Sequence, residues 1–261
     1  MARQPLPLPQ TVKPRLALLG FLGLVSGLAA ADPGRLVQAA LAAEARLDSK
    51  QALQLFTQAD AAHPDDAFIL QKIARQYSDL VVDQTDVAAK KRYAQTALAY
   101  AQRAVALKPD DAVNVLSLAV CHGTLAVYSD TPTKLRYSRL VKEEAERALA
   151  LDPNYAWAHH LLGRWHCEVA GLGAASKFFV RLLYGGLPPA SFDEGIRQLR
   201  RATELEPDEL NHWLELGFAY AAAGQPGAAR IQWAHGLAMP SRGKHDEPAK
   251  QRAREAMAQL N

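Results

Sequence analysis

Apolar and small residues recur every three or four positions along most of the chain, the spacing that places them on one face of an α-helix. The segment AWAHHLLGRWHCEVA, residues 156–170, shows this pattern and begins three residues after the Asp152-Pro153 pair. The same arrangement of turn and helix follows three other prolines, which are Pro64, Pro109 and Pro207. Outside the first 31 residues, no stretch alternates with period two for long. The pattern therefore predicts an all-α protein without strands.

Four of the predicted helices carry the same three residue types at equivalent positions. When each helix is counted from three residues after its proline, position 7 is large and apolar, position 8 is small, and position 11 is a ring. The residues are Ile73, Leu118, Leu162 and Leu216 at position 7, Ala74, Ala119, Gly163 and Gly217 at position 8, and Tyr77, His122, His166 and Tyr220 at position 11. A small residue at position 8 lets a second antiparallel helix approach closely, as in a tetratricopeptide (TPR) unit.

A second set of regularly spaced residues defines the partner helices. Its members are Ala52, Phe56 and Ala59; Ala97, Ala101 and Ala104; Val141, Ala145 and Ala148; Gly195, Leu199 and Ala202; and Ala229, Trp233 and Gly236. The sequence therefore predicts a TPR-like α-solenoid of about five antiparallel helix pairs over residues 32–240. Each pair leaves one apolar face for its neighbour to cover, so the pairs must stack. Residues 241–261 are polar and then helical after Pro248, and we predict that they form a C-terminal capping helix.

The three inner helix pairs are lengthened or carry insertions. From position 11 of the first helix to the first packing residue of the second, the chain advances 9 residues in the outer pairs but 20, 19 and 29 residues in the inner ones. In a solenoid such insertions project from one face. The longest insertion holds a predicted short helix at residues 174–184, which contains KFFVRLLY. Three interpretations of this helix are open: packing on its own repeat, lying on a membrane surface, or closing over a groove as a lid.

The first 31 residues differ from the repeats. Arg3, Lys13 and Arg15 precede the apolar run LALLGFLGLVSGLAAA, which ends just before Asp32. This order is that of a secretory signal peptide, with a basic region, an apolar region and a small-residue cleavage site. The run of 16 residues spans about 24 Å as a helix, which is short of a bilayer core of about 30 Å. We therefore expect an exported protein, periplasmic or secreted, with a membrane anchor at the N-terminus as the alternative.

Charge argues against a nucleic-acid partner. The chain has 30 Lys and Arg residues and 27 Asp and Glu residues. The predicted signal peptide holds three of the basic residues and no acidic one, so the remaining chain is formally neutral. A nucleic-acid-binding protein would be expected to carry a basic face. With 49% hydrophobic and 22% charged residues, the composition is that of a globular protein.

No catalytic motif stands out in the sequence. The chain lacks GxSxG, a P-loop, HExxH and CxxC, which indicates that it is not an enzyme. One cluster contains side chains of the types that bind metal ions, and its members are His159, His160, His166 and Cys167. Because His166 occupies the position that a tyrosine fills in other repeats, we interpret its ring as a packing residue and predict no metal site and no cofactor. We interpret Cys121 and Cys167 as buried thiols, with a disulfide between them as the alternative.

The stretch HHLLGRWHCEVA is followed by an aromatic and basic insertion, a Pro-Pro pair and SFDEGIRQLRRATELEPDE. In this order it resembles the regulator of microtubule dynamics family of TPR-like proteins. The resemblance covers roughly residues 94–236 and is most specific at residues 161–169. It implies an all-helical, non-enzymatic adaptor. Eukaryotic members of that family are associated with microtubules, organelle contacts and phospholipid binding.

The concave surface of a TPR-like stack is lined by the first helices, chiefly through positions 2, 5 and 9. The predicted groove for a ligand or partner consists of Phe68, Gln71, Arg75, Leu116, Val120, Trp157, His160, Arg164, Leu214 and Phe218. The lining is mainly apolar, with Arg75, His160 and Arg164 as polar anchors. We predict a scaffold that binds a protein or peptide partner through this face.

Two other interpretations of the same residues are open. The groove could belong to a lipid-binding or lipid-transfer module, in which Arg75, His160 and Arg164 are the polar anchors for the anionic headgroup of a lipid. Alternatively, the groove could be filled by the chain's own helices as part of the core. A continuous apolar cavity would favour the lipid module, and a narrow or filled groove would favour the scaffold.

Overall fold

A computed structural model describes residues 32–260 and shows twelve α-helices in that range. They are α1 (Pro33–Ala45), α2 (Ser49–Ala62), α3 (Ala67–Leu80), α4 (Val87–Leu107), α5 (Ala112–Val127), α6 (Thr131–Leu151), α7 (Ala156–Ala170), α8 (Ala174–Tyr184), α9 (Phe192–Leu205), α10 (Leu210–Ala222), α11 (Pro226–Ala238) and α12 (Asp246–Gln259). No strand occurs within residues 32–260, so the prediction of an all-α protein is confirmed. The predicted signal peptide lies outside the described residues.

The helices form five pairs that stack in chain order. The pairs are α1 with α2, α3 with α4, α5 with α6, α7 with α9, and α10 with α11. Each second helix also contacts the first helix of the next pair, through α2 and α3, α4 and α5, α6 and α7, and α9 and α10. This arrangement confirms the predicted TPR-like α-solenoid of five helix pairs. Residues 32–260 form one compact unit.

The small residue at position 8 of each first helix is a close packing point, as predicted. A Cβ atom added to Gly163 would lie 2.7 Å from Leu199 Cγ and 2.9 Å from the backbone oxygen of Gly195. Both of those residues belong to α9, the partner of α7. Ala74 and Ala119, at the same position of α3 and α5, are fully buried. A larger side chain than the one present at this position would force the two helices of a pair apart.

The inner pairs are lengthened in two different ways. The second helices α4 and α6 each run for 21 residues, against 14 in α2. Their first turns are capped by Asp86 and Asp130, whose side chains accept hydrogen bonds from the amides of Ala89 and Thr133. The fourth pair instead carries a separate helix, α8, between its two members. None of the α8 side chains is buried, so this helix does not pack into the core of its own repeat.

The C-terminal helix α12 covers the last pair, as predicted. Ala253 is fully buried in a cluster that includes Leu214 and Trp233. Trp233 is itself fully buried and donates a hydrogen bond from Nε1 to the Leu214 oxygen at 3.1 Å. The open apolar face of the fifth pair is thereby closed. Within the described part of the chain, no helix has the length and apolar character needed to span a bilayer.

Candidate functional site

The first helices of successive pairs form one continuous face. Besides their own partners, α3 contacts α5, α5 contacts α7, and α7 contacts α10. All ten predicted groove residues lie on these four helices. The structure places Phe68, Arg75 and Val120 in solvent, leaves Trp157, Arg164 and Phe218 partly covered, and buries Gln71, Leu116, His160 and Leu214. The predicted groove is therefore open over α3 and α5 and largely closed over α7 and α10.

The open part of the groove is apolar. Phe68, Val113 and Val120, which we call the open strip, are 44%, 45% and 41% exposed. They lie on α3 and α5, two helices in mutual contact. Arg75 lies on α3 with its side chain in solvent, and its Nε is 3.4 Å from a carboxylate oxygen of Glu44. The strip therefore offers apolar side chains beside a cation that already has a carboxylate partner.

A histidine pair closes the groove between α7 and α10. His160 Nδ1 lies 2.9 Å from His212 Nδ1, and both residues are buried. The Trp157 ring packs against both, with centroids 5.0 Å and 4.7 Å away. Burial lowers the pKa of His212 to about 4, and burial together with His212 lowers the pKa of His160 well below its usual value. The pair is therefore uncharged at neutral pH, and one ring donates the shared hydrogen bond to the other.

A second closure is ionic and is centred on Glu215 of α10. One of its oxygens lies 3.5 Å from Arg164 Nε, and the other lies 2.7 Å from Arg252 Nη2 on α12. The Arg252 guanidinium also stacks over the Phe218 ring, 4.1 Å from its centroid. Glu215 and Glu168 raise the pKa of Arg164 further, so its charge is fixed. The predicted anion anchor Arg164 thus already binds two carboxylates of its own chain.

Substituting Glu215 with glutamine tests this closure. Both arginines would lose a carboxylate partner, and because each remains partly in water we expect a loss of only about 1 to 2 kcal/mol in the free energy of unfolding. Chemical denaturation measures this loss. The control is Glu168→Gln, which removes a well-exposed carboxylate from Arg164 and should cost less than about 0.5 kcal/mol. Equal costs for the two substitutions would contradict a structural role for Glu215.

The segment before α12 reaches from the fifth pair to the second. Lys244 Nζ lies 2.7 Å from a carboxylate oxygen of Asp83, and His245 Nε2 lies 3.1 Å from Asp79 on α3. At the other side, Asp246 accepts a hydrogen bond of 2.9 Å from Asn211 of α10. This segment therefore bridges α3 and α10. The sequence predicted α12 only as a cap, because the partners of Lys244 and His245 lie more than 160 positions away.

The histidine and cysteine cluster does not gather into a metal site. His159 contacts the Gln198 side chain and the Pro153 oxygen, whereas the His166 ring packs edge-on against Trp165. Among residues 32–260, no group of three His, Cys, Asp or Glu side chains could hold a metal ion. Both cysteines are unpaired, and burial raises the pKa of each thiol to about 12. Neither is therefore a reactive thiolate at neutral pH.

Two surface depressions lie away from the predicted groove. One, of about 680 Å³, runs along α9 and is lined by polar residues that include Arg197, Arg200 and Arg201. The other, of about 280 Å³, lies beside α8 and is lined in part by Val180 and Leu187. Within residues 32–260, neither depression is lined by a residue of the predicted groove. Four of the ten predicted groove residues are buried, so the groove is a partly filled face.

Comparison with known proteins identifies the relatives of this chain. The family model described as regulator of microtubule dynamics protein 1-3 matches residues 36–261. The chain is similar to regulator of microtubule dynamics protein 3 of Xenopus laevis, with 28% identity over 158 residues, 60% of this chain and 34% of the relative. It is also similar to protein 2 of Bos taurus, with 22% identity over 197 residues, 75% of this chain and 48% of the relative. The matches thus span less than half the length of these relatives.

A solved structure confirms the fold. A thermophilic TPR protein of Thermus thermophilus has a TM-score of 0.62 to this chain, with 20% identity, over 88% of this chain and 98% of that one. At this identity the likeness concerns the fold alone.

The relatives also correct the predicted location. The prediction of an exported protein, periplasmic or secreted, is wrong, because the matched relatives are eukaryotic regulators of microtubule dynamics, and microtubules are polymers inside the cell. The alternative of an N-terminal membrane anchor concerns residues outside the described range. The resemblance seen in the sequence is confirmed, since the family model matches from the first helix to the C-terminal residue. The chain belongs to the regulator of microtubule dynamics protein 1-3 family.

Proposed function

We propose that this protein is a non-enzymatic scaffold that binds a protein or peptide partner on the open half of its inner face. The observation that carries the proposal is the open strip, in which three large apolar side chains of the first helices stay in solvent while the equivalent residues of α7 and α10 are partly covered. The helical-repeat fold and the family both support a scaffold role. The names of the relatives make microtubules one partner to test.

The chemistry of the open strip favours apolar side chains as the anchors of the partner. Phe68 is flanked by Lys72, whose Nζ lies 5.6 Å from the ring centroid and 2.8 Å from Glu44. Arg75 shares the same carboxylate. Because both cations are already paired with Glu44, and Arg75 also lies 4.0 Å from a carboxylate oxygen of Asp79, the partner gains little from adding negative charge here. Recognition would instead rest on burying the strip beneath apolar or aromatic side chains of the partner.

The alternative of an anionic lipid in the groove stays a prediction. Of its three predicted anchors, Arg75 and Arg164 bind carboxylates of their own chain, and His160 is buried against His212. A lipid headgroup would have to displace those partners. Mass spectrometry of organic extracts from the purified protein, with Arg164→Ala as the comparison, decides this point. A stoichiometric anionic lipid that the variant loses would replace the scaffold proposal.

Peptide selection on the immobilised full chain tests the scaffold proposal. We expect the peptides that bind best to carry apolar anchors, and the Val120→Asp substitution to weaken their affinity by about tenfold or more, because it places a charge inside the buried contact. Isothermal titration calorimetry measures the change. The matched control is Val127→Asp, the same substitution on the same helix at a position that is 67% exposed and outside the strip. Equal affinities for the two variants would place the binding surface elsewhere.

A further inference from the structure

The helix α8 presents an apolar face that nothing in the described chain covers. Phe178, Phe179, Leu182 and Leu183 are between 57% and 65% exposed. Their spacing along the sequence puts all four on one side of the helix. Together they form the outer face of α8. Four adjacent large apolar side chains in water are unusual for a surface helix and indicate a docking surface.

The rest of the protein holds α8 by its other side and its ends. Val180, which lies opposite the outer face, is partly covered and lines the depression beside α8. At the C-terminal end, Arg139 of α6 donates hydrogen bonds from Nη2 to the Tyr184 oxygen at 2.6 Å and from Nε to the Gly186 oxygen at 3.2 Å. At the N-terminal end, Lys177 Nζ donates to the Ala170 oxygen at 2.7 Å. The helix is therefore fixed with its outer face turned away from the stack.

The charge of this segment has one sign. Residues 171–190 contain two basic residues, Lys177 and Arg181, and no acidic residue. Arg181 lies next to the edge of the outer face at Phe178, whereas Lys177 lies on the opposite side of the helix and lines the depression beside α8. A helix with Phe and Leu on one face and only basic charges on the rest of its surface is the pattern of a helix that lies in a membrane interface. This pattern is complementary to an anionic lipid surface.

A second copy of the chain is a poorer fit to the outer face. A stable protein interface buries about 800 Å² on each partner, which takes roughly 20 to 30 residues a side. The helix has 11 residues and offers four apolar side chains. A bilayer surface needs no matching shape and can accept a patch of this size, because apolar side chains insert singly among the lipids. The area and the charge therefore favour a membrane surface over a dimer.

We propose that α8 docks this protein on the surface of an anionic phospholipid bilayer. The helix lies parallel to the membrane, with the outer face among the acyl chains and Arg181 at the headgroups. With 11 residues it is about 16 Å long, so it lies on the bilayer and does not span it. The docking is reversible, since one short helix supplies the whole contact. The open strip lies on different helices and stays available to a partner.

Vesicle flotation tests this proposal with residues 32–261, which contain the whole compact unit but not the apolar run before it. The probes are vesicles of pure phosphatidylcholine and vesicles with about 30 mol% phosphatidylserine. We expect binding to the anionic vesicles, weaker binding at high salt, and little binding to pure phosphatidylcholine. The double variant Phe178→Asp with Leu182→Asp should lower the bound fraction by about tenfold or more, because two charges would enter the acyl region.

The control variant is Val127→Asp with Ile231→Asp, which makes the same chemical change at two apolar residues that are each 67% exposed elsewhere. We expect it to bind vesicles like the unmodified protein. Circular dichroism should show both double variants folded, since all four residues are exposed. Two results would overturn the proposal: no binding to anionic vesicles, or equal binding by the α8 variant. A dimer in sedimentation that the α8 variant abolishes, without vesicle binding, would assign the outer face to a second copy.

The test is independent of the proposed partner groove. Val120→Asp should leave vesicle binding unchanged, and the α8 variant should bind selected peptides with unchanged affinity. Vesicle binding lost in both variants would instead show that the membrane contact extends over the open strip, and would overturn the assignment to α8.

Discussion

Replacing Gly163 with leucine is expected to lower the free energy of unfolding by about 3 kcal/mol or more. The added Cβ alone would lie 2.9 Å from the backbone oxygen of Gly195, so a change of side-chain rotamer cannot relieve the contact. The helices α7 and α9 would have to move apart, and the stacking of the third and fifth pairs on this pair would be disturbed. Thermal and chemical denaturation measure the effect, which we expect as a fall of roughly 10 °C in Tm.

A glycine in an open position provides the control for this substitution. A Cβ at Gly227, in the first turn of α11, would meet nothing within 4 Å. Gly227→Leu should therefore be neutral or slightly stabilising, because leucine is the better helix former. If Gly163→Leu is as stable as Gly227→Leu, the equivalence of position 8 across the repeats is wrong.

The repeat architecture could be predicted because it depends on the spacing of residues that are close together in the sequence. The order of a large, a small and a ring residue fixes which side of each first helix meets its partner, and it recurs at Gly163 and Gly217. The prolines between pairs mark the turns in the same way. Each of these signals involves residues within one helix pair. The repeats can therefore be identified without knowing the curvature of the stack or any contact between distant residues.

The state of the inner face could not be predicted from the same signals. The closures rest on single contacts between distant residues, such as His160 with His212 and Glu215 with Arg252. These pairs are separated by 52 and 37 positions and have no recurring spacing. Positions 2, 5 and 9 predict residues of the inner face, but whether each is open depends on what α12 and the neighbouring pair place above it.

The prediction of an exported protein is wrong for a related reason. A basic stretch followed by an apolar run before small residues is a compositional pattern, and it carries no information about the rest of the chain. The repeats between residues 36 and 261 carry the family, and the family overturns the location that the pattern suggested. The repeat pattern is a more specific signal than the N-terminal pattern, because it is longer and because residue types, their order and their spacing must all agree.

The buried histidine pair makes the protein sensitive to acid. Burial lowers the pKa of His212 from 6.5 to about 4, so between these two values the unfolded chain binds more protons than the folded one. Stability is therefore complete above about pH 6.5, falls as the pH is lowered, and levels off for this group below about pH 4. The loss from His212 amounts to about 3 kcal/mol in all, of which about 2 kcal/mol is lost between pH 7 and pH 5. The lowered pKa of His160 acts in the same direction.

The groups around the pair set its environment. Arg164 and Arg252 lower the pKa of His160 in addition to burial and His212, so protonation of His160 would add a third positive charge beside them. Glu206 acts in the opposite direction, because burial raises its pKa and the folded protein therefore gains stability as this carboxyl takes up a proton. Its carboxylate oxygen lies 3.4 Å from His212 Nε2. The net acid sensitivity is the difference between these effects, and a variant is needed to isolate the histidine.

Substituting His212 with glutamine isolates that contribution. The amide can still hydrogen-bond to His160 but cannot take up a proton in this range. Urea denaturation at pH 7, 6 and 5 should show that the variant loses about 2 kcal/mol less than the unmodified protein between pH 7 and pH 5. His63→Gln, which removes an exposed histidine at the end of α2, should leave the acid-induced loss unchanged. If His212→Gln and the unmodified protein lose the same stability on acidification, the pair is not the source of the acid sensitivity, and the closure between α7 and α10 does not depend on its neutral state.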